Sequence, residues 1–66
     1  MYPNLRAEMA RLKFTAAELA EKLNITNSTF SLKLNGKSDF TLEEAFMIKE
    51  LLGVDMPIEM LFAVEQ

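Results

Sequence analysis

The stretch Thr15–Gly36, TAAELAEKLNITNSTFSLKLNG, leaves this chain few ways to fold. Leu19 and Leu23 lie four apart, so they share one face of a first short helix, with Ala20 beside them. Phe30 and Leu34 repeat that spacing on a second. Between them there is room only for a sharp reversal. It centres on Asn24, and Asn enters the left-handed region more easily than most residues. Ile25 is then placed to plug the angle between the two helices.

The ends of these helices are marked as clearly as their faces. Thr15-Ala16-Ala17-Glu18 is a capping box, in which the Thr hydroxyl accepts the Glu18 amide and the Glu18 side chain reaches back. Thr26 is a second N-cap, and Asn35-Gly36 supplies the left-handed stop that helix ends prefer. On a helical wheel, Asn27, Ser28, Ser31 and Leu32 fall on one arc away from Phe30 and Leu34. That arc is short-chained, mostly polar and free of acid, where a surface helix without a function usually carries Glu and Lys. Thr29 lies between the two faces and reads as structural. Lys33 lies beside the core stripe, with its stem buried and its ammonium reaching out.

Upstream, Leu5, Met9 and Leu12 keep the spacing of one buried face. They predict a helix capped by Asn4 and ended by Lys13, with Phe14 as a core anchor. Arg11 and Lys13 read either as phosphate contacts near the start of the next helix or as ordinary solvated charge. Downstream, Gly36-Lys37-Ser38-Asp39 predicts a polar loop, closed at its base by Phe40 as a core residue. Thr41-Leu42-Glu43-Glu44 is another capping box. Leu42, Ala45, Ile48 and Leu52 predict the buried stripe of that helix, and Gly53 ends it. Met56-Pro57 starts a short fifth helix, from which Ile58, Leu61 and Phe62 close the core. Phe46, Met47 and Leu51 spill outside the stripe, and Met60, Ala63 and Val64 are left over. Either they meet a partner surface or the short helix folds down and hides them. The whole is an all-α bundle of five short helices forming a single domain over residues 1–66.

Composition narrows the chemistry. Sixty-six residues suit one small domain with little stability to spare. With no Cys there is no disulfide and no thiolate metal site, and with no His the commonest general base and zinc ligand are missing. Glu43-Glu44, Glu50 and Glu59 form no metal-ligand pattern, and no glycine-rich phosphate loop is present. No catalytic, metal or cofactor-binding residue is therefore expected, and no small-molecule ligand. No apolar run approaches the roughly 18 residues that span a bilayer. Met1-Tyr2-Pro3-Asn4 leads straight into an amphipathic segment, so the expectation is no signal peptide, no membrane and a cytoplasmic location. The net charge is −3, but unevenly spread. Residues 1–37 hold six basic side chains against three acidic, and residues 38–66 hold one lysine against seven acids. Such a division suits an oriented binder of nucleic acid, and is also within reach of chance in so short a chain.

The Thr15–Gly36 pattern resembles the helix-turn-helix of phage repressors of the Cro and cI kind. In that family a Thr-Gln pair opens the second helix. Leu-Ala, Leu-Gly-Ile and Ser-x-x-Thr-Ile-Ser follow, and the unit closes on Asn-Gly. Thr15, Leu19-Ala20, Leu23-Asn24-Ile25, Thr26-Asn27-Ser28-Thr29-Phe30-Ser31 and Asn35-Gly36 stand in those places. Three positions differ: Ala16 replaces a phosphate-binding Gln, Asn24 the turn Gly, and Leu32 a reader that is often polar or basic. The resemblance implies a lambda-repressor-like domain with its helix-turn-helix at helices 2 and 3. It also implies sequence-specific binding of double-stranded DNA as a small transcriptional regulator, in the manner of a Cro-like repressor. Asn27, Ser28, Ser31 and Leu32 would then meet bases. Lys13, Lys33, Lys37, Ser38 and the Ala16 and Ala17 backbone amides would hold phosphates. A homodimer on its operator is expected, built from Met60, Ala63 and Val64 with help from Met47 and Leu51. The rival reading is a protein-interaction module that keeps the fold without DNA binding. An enzyme does not fit this residue set.

Overall fold

Local signals decide where most of the helices start and stop. In the computed structural model, which describes residues 1–64, five helices follow one another: α1 (Pro3–Leu12), α2 (Ala16–Lys22), α3 (Asn27–Leu34), α4 (Leu42–Leu52) and α5 (Ile58–Leu61). No strand occurs among the described residues. Thr15, Thr26 and Thr41 are the N-caps of α2, α3 and α4, each accepting the amide three residues on. At Thr15 and Thr41 the capping box is complete, with Glu18 and Glu44 reaching back to the cap amide at 3.0 and 2.9 Å.

The first three helices end by one device. Lys13, Asn24 and Gly36 take positive φ of 61°, 61° and 80°. The next amide in each case reaches five residues back: Phe14 to Met9, Ile25 to Ala20 and Lys37 to Leu32, at 2.9–3.0 Å. This is the Schellman closure, which satisfies carbonyls the helix leaves unpaired. At Asn24 it makes the reversal between α2 and α3, with Ile25 half-buried against the core.

One apolar core joins all five helices. Leu5 and Met9 of α1, Leu19 and Ala20 of α2, and Phe30 and Leu34 of α3 meet Ile48 and Leu52 of α4, Val54, and Leu61 of α5. Phe40 stands where the loop after α3 turns inward. Its ring meets Tyr2, Phe30 and Phe62 edge-on, with centroids 5.4–5.6 Å away. Edge-to-face pairs of this kind add about 0.5–1.5 kcal/mol each beyond area burial.

Three expectations are corrected. Asn4 is not the cap of α1. Tyr2 holds that place with φ 57°, and Pro3 starts the helix. The left-handed backbone of Tyr2 carries strain, of order 1–3 kcal/mol. Its buried ring, packed on Phe40 and Phe62, offsets that cost. Asn4 instead donates its side-chain N–H to the Met60 carbonyl at 2.7 Å, tying α1 to α5. Leu42 is not part of the buried stripe of α4: it sits at the first helical position, on the edge of the inner arc, and is 67% exposed. In α5, Pro57 is the capping residue rather than part of the helix.

Candidate functional site

The amphipathic pattern of α3 is resolved into two faces. Phe30 and Leu34 are buried, whereas Asn27, Ser28 and Leu32 are exposed and Ser31 is half-buried. Leu32 keeps 51% of its surface in solvent. The four residues thus share an outward strip with no charge of its own. Thr29 is half-buried and accepts a 2.8 Å hydrogen bond from the Thr26 hydroxyl, in keeping with a structural role. Where α2 gives way to α3, Ala17, Glu21, Asn24, Thr26 and Asn27 line a shallow open crevice. Glu21 is the one charged side chain there.

The loop after α3 folds back on the helix end. The amides of Lys37 and Ser38 both donate to the Leu32 carbonyl, at 2.9 and 3.3 Å. Both side chains are exposed. The loop therefore brings a cation and a hydroxyl to the C-terminal end of the outward strip. Arg6 holds that end from α1: one guanidinium N–H reaches Asn35 Oδ1 at 2.7 Å and the Leu34 carbonyl at 3.4 Å. Its Nε donates to the Met1 carbonyl at 2.9 Å. A cation at a helix C-terminus also meets the negative end of the helix dipole. Nothing local in the sequence marks this role of Arg6, since its partners at the helix end lie 28 and 29 residues away.

Lys33 departs from expectation. Its ammonium does not reach into solvent but pairs with Glu44 Oε1 at 2.6 Å, and the two side chains keep only 12% and 17% of their surface. Burial pushes the Glu44 carboxyl up. Hydrogen bonds from Lys33 and from the Thr41 N–H outweigh that push and hold it below its ordinary range. Lys33 thus fastens α3 to α4 and is not a free cation on the outward strip.

The remaining candidates are scattered. Lys13 is exposed at the turn before α2. Ala17 is exposed and Ala16 half-buried in the first turn of α2, with the Glu18 carboxylate bound to the Thr15 amide and hydroxyl beside them. That acid answers the positive end of the helix, so an anion there would meet a like charge. Arg11 pairs with Glu8 at 2.7 Å along α1. On the other half, Met47, Met60 and Val64 are 41%, 54% and 45% exposed, and Ala63 is exposed too. Leu51 is half-buried against the core. Phe46 and Leu42 stand out of α4 as well.

No group of acidic side chains among the described residues could hold a metal ion. No helix among them is long and apolar enough to cross a membrane. Searches for a matching protein-family model, a similar curated protein and a similar solved structure found none.

Proposed function

We propose that this chain binds double-stranded DNA in a sequence-specific way, as a small transcriptional regulator, with α2 and α3 acting as a helix-turn-helix. The observation that carries the reading is the acid-free outward strip of Asn27, Ser28, Ser31 and Leu32 on α3. Its resemblance to the Cro and cI pattern supports the same conclusion.

In this reading α3 lies in the major groove. The Asn27 amide has both a donor and an acceptor, and pairs with adenine N6 and N7. Ser28 and Ser31 are short enough to let the helix approach closely and hydrogen-bond base edges. Lys37, Ser38 and Lys13 hold phosphates, which position the protein without reading sequence. Lys33 keeps α3 seated on α4. Regulation needs no bond-making chemistry: occupancy of an operator that overlaps a promoter represses it. Two copies joined through Met60, Ala63 and Val64 would read half-sites about 34 Å apart. A cytoplasmic location accompanies this function.

A second reading is a protein-interaction module, favoured by Leu42, Phe46 and Met47 standing exposed on α4 in the acidic half of the chain. Selection from random duplex DNA separates the two. Enrichment of one A/T-containing motif supports the regulator. Failure to enrich any motif at low salt rejects it in favour of the module.

A further inference from the structure

The guanidinium of Arg6 joins three points of the chain that no other described side chain connects: the Met1 carbonyl, the Leu34 carbonyl and Asn35 Oδ1. Gly36, the next residue, takes φ +80° and lies directly under the Met1 side chain. Lys37 and Ser38 follow at once, held by the Leu32 carbonyl alone through their backbones. Among the described residues, no further hydrogen bond holds Lys37, Ser38 or Asp39 before Phe40 enters the core.

From this juxtaposition we infer that Arg6 is a positioning residue for the phosphate-facing loop: it clamps the end of α3 so that Lys37 and Ser38 meet the DNA backbone in one fixed arrangement. The inference rests on the DNA reading above for its consequence, but not for the clamp itself. The chemistry needs an arginine. One terminal guanidinium nitrogen serves two acceptors at the helix end while Nε, held in the same plane, serves a third, a spread of donors that a lysine ammonium cannot reproduce from one point. Fixing the loop before binding removes an ordering cost that would otherwise be met on the DNA.

The full chain with Arg6→Ala and with Arg6→Lys provides the test. Amide hydrogen exchange at Asn35, Gly36, Lys37 and Ser38 is read without DNA. It is expected to rise at least tenfold in both variants, while exchange at Leu19 and Ile48 stays near that of the parent. The best duplex from random-sequence selection is then used as the probe. Both variants should bind it several-fold more weakly, and the slope of log K against log salt should flatten by about 0.9, the share of one phosphate. In a Lys37→Ala background, Arg6→Ala should have almost no further effect on that slope.

Unchanged loop exchange in Arg6→Ala overturns the clamp, whatever the DNA result. Faster loop exchange with unchanged DNA affinity overturns its consequence for binding. Full recovery of affinity by Arg6→Lys, or equal effects of Arg6→Ala with and without Lys37, would make Arg6 a direct phosphate contact instead and also overturns the inference. If the parent chain selects no duplex, the DNA reading fails, while the exchange measurement still decides the clamp.

Discussion

The outer face of α3 carries Asn27, Ser28, Ser31 and Leu32 with no acid among them, whereas that of α4 carries Leu42, Phe46 and Met47 beside Glu43 and Glu50. Both face solvent, and they ask different things of it. The α3 strip is mostly small and polar, so water covers it at little cost. The α4 face leaves three large apolar side chains in water, each of which would gain if covered. Their anchoring differs as well. The last turn of α3 is held by Arg6 and Lys33, while Lys49 on α4 turns inward to the Val54 carbonyl at 3.0 Å and leaves the face acidic. A mostly polar strip with an anchored end fits a partner that is read by hydrogen bonds. An acidic apolar face fits another protein surface.

The largest test of this contrast is between two phenylalanines. Phe30 on the inner face of α3 is fully buried, and Phe46 on the outer face of α4 is 54% exposed. Phe30→Ala should cost about 3–5 kcal/mol, enough to unfold much of so small a domain at 25 °C. Phe46→Ala should stay within roughly 0.5 kcal/mol. Urea denaturation followed by circular dichroism measures both. A loss at Phe46 comparable to that at Phe30 would mean that α4 is packed the other way round.

Lys33–Glu44 is the bond between the two regions, and acid should break it. The folded-state pKa of Glu44 lies below its ordinary value of 4.5, so the unfolded chain takes up this proton first. The carboxylate therefore contributes its full stability above pH 4.5, and loses it as pH falls through the depressed folded value. Glu44→Gln keeps the capping geometry but not the charge. It should cost roughly 1–2 kcal/mol at neutral pH, between an exposed and a buried pair. The difference from the parent should shrink steadily below pH 4.5 in urea titrations. A constant difference down to strongly acid pH would show that the charge of Glu44 contributes nothing.

The two regions were also unequally legible in the sequence. Capping boxes at Thr15 and Thr41, the Thr26 cap and the reversal at Asn24 are written within a few residues, and each is found where the local pattern predicts it. The burial of Phe30 and Leu34 follows from helical spacing in the same way. What escaped depends on contacts distant in sequence. Tyr2 is buried because rings from residues 40 and 62 arrive around it, and Asn4 leaves the cap role for a carbonyl 56 residues away. Lys33 looked free because its partner stands 11 residues on, in another helix. Leu42 shows the opposite failure. Its spacing to Ala45 suits the core stripe, but its four-residue step to Phe46 puts it on the edge of that arc, and it stays 67% exposed.

Assembly should separate the faces further. If copies meet through Met60, Ala63 and Val64, Val64→Glu places a charge in an apolar contact and should weaken the dimer by about tenfold or more. The monomer should stay helical, because Val64 is 45% exposed and outside the core. Sedimentation of the parent and the variant, free and on the selected duplex, reads this directly. A parent that is monomeric in both conditions removes the dimer, and with it the expectation of paired half-sites.

The smallest effect is the most specific, and it concerns the one apolar side chain on the α3 strip. Leu32 is 51% exposed, so it is available to a ligand, and it lies one helical turn after Ser28 on the same side. An apolar side chain cannot hydrogen-bond a base edge. Aimed into the major groove, its natural contact is the thymine methyl. Leu32→Ala should therefore cost about 1 kcal/mol, the low end for a lost base contact, and at one position of the half-site only. Lys37→Ala, by contrast, should weaken every sequence alike and flatten the salt slope by about one unit. Replacing thymine by uracil removes the methyl and leaves the pairing intact. The parent should lose affinity at one substituted position, and Leu32→Ala should not feel that same substitution. If instead Leu32 serves a protein surface, as the face of α4 does in the rival reading, no position shows a uracil-dependent loss that vanishes in Leu32→Ala. The two outer faces would then be parts of one protein-binding surface rather than surfaces for different partners.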